Sequence, residues 1–166
     1  LPILILYNLF FKKKPIIGNV IVSSLLGFVF IFTELTLENK INMMIVPFIL
    51  AFNLSFIREF IKDIHDSYGE FFFDIKTFPI VVGIKKSCVF ISIYIFLSIF
   101  LFLIPYIIGL YKIKYLLSLI FLIEIPLIYS LFLLNNNPLI KTFRSLIVLH
   151  KFLTISGLFV IYLTKN

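Results

Sequence analysis

The sequence predicts an all-α protein, a polytopic transmembrane helix bundle, and three observations carry that prediction. The 166 residues are 61% hydrophobic and only 14% charged, with 22 Phe and no Trp, and a soluble domain of that length could not cover so much apolar surface. The apolar residues come in repeated stretches of about 20, the length that crosses a bilayer as a helix. The basic residues lie between those stretches, so the net charge of +7 reads as membrane topology and not as nucleic-acid binding.

Taken in order, LPILILYNLFF reads as the end of a helix already under way, closed by Lys12, Lys13, Lys14 and Pro15. With no initiator Met and no signal-peptide pattern, the chain reads as the C-terminal part of a longer one. Complete spans are expected at about 16–33, 41–57, 87–108, 115–134 and 145–164, five in all plus the end of one. Glu34 to Lys40 forms a short polar connection, and a loop over 58–86 is long enough to need a functional reason. Gly109 to Lys114 makes one turn and Asn135-Asn136-Asn137-Pro138 starts the next. Pro47, Pro105 and Pro126 are expected to kink their helices, which bundles tolerate when neighbours satisfy the freed carbonyls.

This assignment sorts the basic residues between two sides. Lys12, Lys13, Lys14, Arg58, Lys62, Lys76, Lys85, Lys86, Lys141 and Arg144 share one side, ten against the four of Lys40, Lys112, Lys114 and Lys165. By the positive-inside rule the ten-charge side is cytoplasmic.

The acidic residues are concentrated on that side. Of eight in the chain, five (Glu59, Asp63, Asp66, Glu70, Asp74) fall within 16 positions. On a helix, Glu59, Asp63, Asp66 and Glu70 lie at i, i+4, i+7 and i+11, one narrow stripe. Arg58 and Lys62 form an adjacent stripe. Stacked carboxylates repel, whereas Mg²⁺ accepts a few carboxylate oxygens together with substrate phosphates, and neighbouring cations can hold the same phosphates. A solvated loop whose charges stay wet fits the spacing equally well.

Fewer ionisable residues lie inside spans. Glu124, beside Pro126, should face the bundle in a helix–helix hydrogen bond or stay protonated, with a ligand or proton-carrier role as the alternative. His150 is expected to be a satisfied interior polar group, and Lys151 to snorkel to the interface. Cys88, the lone cysteine, reads as packing. There is no glycine-rich phosphate loop, no Cys/His cluster and no serine nucleophile signature.

Arg58, Glu59, Lys62, Asp63, Asp66, Gly69, Lys76, Thr77, Pro79 and Gly83 together resemble the second aspartate-rich motif of the UbiA-type intramembrane prenyltransferases. Within that family the pattern is nearest to the archaeal-type geranylgeranylglycerol-phosphate geranylgeranyltransferases. Glu70 stands where the motif ends in aspartate, and Asp74 where glycine is usual. Tyr7, Lys12, Pro15, Gly18 and Asn19 resemble a second family segment, with Asn8 in place of its serine.

The resemblance implies a nine-helix bundle in which two Asp-rich motifs face each other and hold Mg²⁺ against a prenyl diphosphate. It implies Asp63 and Asp66 as catalytic residues and, with Glu70, as metal ligands; Tyr7, Lys12, Asn19, Arg58 and Lys62 would bind substrate. The implied reaction moves a geranylgeranyl group from its diphosphate to geranylgeranylglyceryl phosphate, within membrane lipid at the plasma membrane, and with no nucleic acid. The first motif would lie upstream of Leu1, so this chain alone is expected to be inactive. Prenylation of an aromatic acceptor such as 4-hydroxybenzoate is the alternative within the family. A transporter or membrane scaffold is the alternative of another class, although its charges would be expected near the midplane, in repeated halves.

Overall fold

The computed structural model describes residues 15–39, 43–69, 77–136 and 138–164, and every regular element among them is helical. Tyr7, Lys12 and Glu70 of the expected site lie outside the described residues, as do Lys13, Lys14 and Lys76. The helices are α1 (Ile17–Glu38), α2 (Ile45–Asp66), α3 (Phe78–Val82), α4 (Ile84–Ile107), α5 (Ile113–Leu119), α6 (Ile125–Asn136) and α7 (Ile140–Thr164). A π-helical turn, Ile120–Glu124, joins α5 to α6.

Among the described residues, four helical stretches are long and apolar enough to cross a membrane: α1, α4, Ile113–Asn136 and α7. Their outward faces are Ile, Leu, Val and Phe, such as Phe32, Phe100, Phe121 and Phe159, as lipid contact requires. The fifth long helix, α2, is different. It packs against α1, α4 and α7, and Leu54, Ile57, Phe60, Ile61 and Ile64 on it are fully buried. Its last nine residues carry Arg58, Glu59, Lys62, Asp63, His65 and Asp66. Of the five expected complete spans, the second is therefore a core helix with a polar end.

The 58–86 connection is much shorter than expected. Residues 58–66 continue α2, and helix resumes at Phe78. The charges mark the edge of the apolar stretch, but backbone hydrogen bonds are indifferent to that edge and carry the helix past it. Likewise α1 runs through Glu38 into the expected 34–40 connection, ending on Asn39 in the left-handed conformation (φ 51°), which Asn tolerates better than most residues. The helix before the Asn-rich turn also extends to Asn136. Pro47 falls in the first turn of α2, where no intrahelical N–H is lost. Pro105 sits in the last turn of α4, its carbonyl accepting from the amides of Leu110 and Tyr111. The π-turn ends two residues before Pro126, whose missing N–H and bulky ring disturb the preceding ladder.

The α1–α2 pair is an antiparallel hairpin pinned along its length. At one end Asn19 bonds Asp63. In the middle, a Cβ on Gly27 would come within 2.9 Å of the Phe48 ring and 3.2 Å of its backbone oxygen, so only glycine allows this approach. At the far end the buried Glu34 carboxylate accepts the amides of Met43 (2.7 Å) and Met44 (3.1 Å) at the start of α2, where a negative charge meets the positive end of the helix dipole. Along α2, Phe48, Phe52, Phe56 and Phe60 stack at i+4 intervals with centroids 6.0–6.3 Å apart. Phe60 passes this column on to Phe78 of α3 and Phe90 of α4. Within the bundle, Tyr94 donates to Asn53 Oδ1 (2.6 Å), and Tyr115 donates to the Phe102 carbonyl (2.8 Å).

Candidate functional site

These contacts bring the charged ends of several helices to one end of the bundle. The start of α1 meets the end of α2 through Asn19 and Asp63. The ring contacts of Phe60 bring α3 and the start of α4, with Lys85 and Lys86, to the same level. Tyr68, just past α2, donates to the Pro138 carbonyl (3.4 Å) and stands against Phe143, which places the start of α7 there with Lys141 and Arg144. Lys112 and Lys114 lie beyond the opposite end of α4. Grouping the described basic residues by loop is thus reproduced by packing.

Within this end, α2 is helical through Asp66, so Glu59, Asp63 and Asp66 do share a face. They do not act as one cluster. Glu59 is paired with its neighbour Arg58, Oε1 to Nη1 at 2.8 Å, which leaves the expected phosphate-binding arginine with one arm engaged and its buried Nε without a partner. Asp63 accepts from Asn19 Nδ2 at 2.9 Å across the α1–α2 seam. Asp66 is 2.9 Å from His65 Nδ1, and both are about one-third exposed. Lys62 is exposed. An open recess of about 420 Å³ lies beside Asp66, lined by His65, Tyr68, Gly69 and Ile140. Tyr68 itself holds its phenol proton more firmly than usual, because of partial burial and then the Cys88 thiol nearby.

The residues present suit a hard cation in part. Among the described residues no group of three or more Asp, Glu, His or Cys side chains could hold a metal. Mg²⁺, however, takes one or two carboxylates, the number that Asp63 and Asp66 on adjacent turns offer, and completes its shell with water and phosphate oxygens. Two further residues belong to this end, His65, which the sequence did not single out, and Thr77, which it placed in the motif without a site role. His65 touches a candidate ligand directly, and its place beside Asp66 was the available signal. Thr77, at the N-cap position of α3, is buried, and among the described residues its hydroxyl has no partner. Cys88 is buried, as expected of a packing residue. Glu124 and His150 are buried in the bundle as expected, but the expected hydrogen bonds are missing: among the described residues neither carboxylate oxygen and neither ring nitrogen has a partner.

A model of the UbiA prenyltransferase family matches residues 1–155. The chain belongs to that family. Among curated UbiA relatives, the digeranylgeranylglyceryl phosphate synthase of Methanococcus maripaludis (strain C7) is 34% identical over 128 residues, 77% of this chain and 45% of the relative. The enzyme of the same name from Methanococcus aeolicus is 33% identical over 137 residues, 82% of this chain and 48% of the relative. That from Haloquadratum walsbyi is 30% identical over 136 residues, 81% and 47% respectively. The chain thus spans about half the length of the curated relatives it matches. A solved structure described as concerning digeranylgeranylglyceryl phosphate synthase in membranes superposes with a TM-score of 0.81 at 26% identity, over 99% of this chain and 59% of that one. The UbiA fold expected from the sequence is therefore the observed one.

Proposed function

We propose that the complete gene product carrying this chain is a Mg²⁺-dependent prenyltransferase that moves a geranylgeranyl group from its diphosphate to geranylgeranylglyceryl phosphate. The observation that carries the reading is the end of α2, where Asp63 and Asp66 stand part-exposed on one helical face in a chain matched by the UbiA family. The choice of acceptor follows the name shared by the relatives, digeranylgeranylglyceryl phosphate synthase. The positive-inside rule, applied to the described basic residues gathered at this end, supports a cytoplasmic site.

In the reaction the C1–O bond to diphosphate breaks, the allylic C1 becomes cationic, and an acceptor hydroxyl oxygen bonds to it, its proton passing to the released diphosphate. Bound Mg²⁺ supplies positive charge to the departing diphosphate. Asp63 and Asp66 anchor that cation on a helix whose opposite face is locked in the core. Arg58 and Lys62 at this end of α2 would add positive charge for phosphate oxygens, and Lys12, outside the described residues, is the third candidate by resemblance. A glycerol phosphate acceptor brings its own dianion, and three candidate cations suit it better than a flat aromatic acid. The apolar bundle limits water, which would otherwise capture C1.

The test offers membranes holding the complete gene product geranylgeranyl diphosphate with geranylgeranylglyceryl phosphate or 4-hydroxybenzoate in turn. Mg²⁺-dependent transfer to the glycerol phosphate, lost in Asp66→Ala and Asp63→Ala with membrane insertion intact, is the expected result. Transfer to the aromatic acid alone would overturn the acceptor. Near wild-type turnover of both variants at saturating Mg²⁺ would overturn the site.

A further inference from the structure

The family resemblance places Asn19 among the residues that bind substrate. Its surroundings assign it a different task. Asn19 lies in the first turn of α1 and is only 8% exposed, so little of it can be reached by a diphosphate. Its Nδ2 instead donates to Asp63 Oδ2 at 2.9 Å, joining residues 44 positions apart.

We propose that Asn19 is a positioning residue that fixes the Asp63 carboxylate for cation binding, and that it is not a ligand of the diphosphate. The proposal rests on Asp63 being a cation ligand, as argued above. A carboxylate at the end of a helix can turn among several staggered side-chain positions. A hydrogen bond from across the seam selects one of them. The chemistry of the donor matters too: an amide holds the oxygen without bringing a positive charge of its own. A lysine or arginine in the same place would hold the carboxylate and compete with the metal.

The hairpin aims the amide. The close approach at Gly27 and the Glu34 carboxylate on the amides of Met43 and Met44 fix the register of α1 against α2. A one-residue slip would turn Asn19 about 100° away from α2. Outer partners that orient a metal-binding side chain are worth roughly tenfold to a hundredfold in metal affinity.

The experiment measures Mn²⁺ binding by electron paramagnetic resonance to the purified complete gene product in detergent, without prenyl substrate. Transfer kinetics are measured alongside at saturating metal. Asn19→Leu keeps the approximate shape and removes the donor; Asn19→Gln keeps an amide. Asn19→Leu is expected to weaken Mn²⁺ binding at least tenfold while the KM for geranylgeranyl diphosphate at saturating metal changes less than about twofold. Asn19→Gln should recover part of the lost affinity. In an Asp63→Ala background, Asn19→Leu should lose nothing further. A raised KM for the diphosphate with unchanged Mn²⁺ affinity in Asn19→Leu would overturn the proposal and return Asn19 to the substrate. Mn²⁺ affinity unmoved by Asp63→Ala itself would show that the failure lies in the assignment of Asp63, and the proposal would fall with it.

Discussion

Replacing Glu34 by alanine tests how the hairpin that carries the site is held. The Glu34 side chain is 4% exposed and accepts two amides at the start of α2, at 2.7 and 3.1 Å. Hydrogen bonds to a charged group contribute about 1.5–3 kcal/mol each. Met43 is 69% exposed, so water can reach this helix end and the lower figure applies to both bonds. Glu34→Ala should therefore destabilise the bundle by roughly 3 kcal/mol. Glu34→Gln, which keeps one neutral acceptor, should lose about half of that. Cys88 supplies the assay, since it is 6% exposed and its thiol becomes reactive only when the bundle opens. Maleimide labelling of Cys88 is followed by mass spectrometry of its peptide in detergent–SDS mixtures where labelling tracks global unfolding. A loss of 3 kcal/mol corresponds to labelling roughly 150-fold faster, at tenfold per 1.4 kcal/mol. A change in Glu34→Ala below about 0.5 kcal/mol, within the range of ordinary surface substitutions, would show that the two amides do not depend on this carboxylate.

The same assay reads two further variants. Gly27→Leu should cost at least about 1–3 kcal/mol as overpacking, because the backbone oxygen of Phe48, 3.2 Å from the new Cβ, can move only by parting the helices; wild-type labelling would mean that the seam is loose. Tyr94→Phe removes the 2.6 Å bond to Asn53 and should cost about 0.6 kcal/mol, the average for such bonds between membrane helices, a loss above about 2 kcal/mol showing that the pair does more than join α2 to α4.

Much of the architecture was legible because a bilayer imposes a length on apolar runs: α1, α4 and α7 follow from hydropathy alone. The carboxylates were legible for the opposite reason, as a dense charge in a chain otherwise nearly free of it. What hydropathy could not show was where a helix ends. Charge at Arg58 and Glu34 marks a change of solvent, while the backbone ladder continues to Asp66 and Glu38. Pairings across the seam were also hidden. Asn19 and Asp63 could each be singled out, but their contact depends on the packing of two helices and has no local signature. The π-turn at Ile120–Glu124 leaves no pattern beyond Pro126. That Glu124 and His150 find no partner among the described residues is likewise a property of the packed bundle and not of either residue's neighbours in sequence.

The polar end of α2 has a consequence for how the protein is made. A translocon releases nascent helices into lipid according to their own hydrophobicity, and about 20 predominantly apolar residues are needed for a helix to span. The helices α1, α4, Ile113–Asn136 and α7 are apolar enough to partition unaided. With its run of charge from Arg58 to Asp66, α2 is the weak inserter, and it is also the helix bearing the candidate ligands. Its inner face is covered by α7, where Gly157 lets Leu54 approach closely, yet α7 is synthesised only after α4, α5 and α6. Ribosomes stalled before Ile140 would thus display a chain whose apolar helices are already in the bilayer while the carboxylate helix still waits for its cover, making the arrival of α7 the step that matures the site.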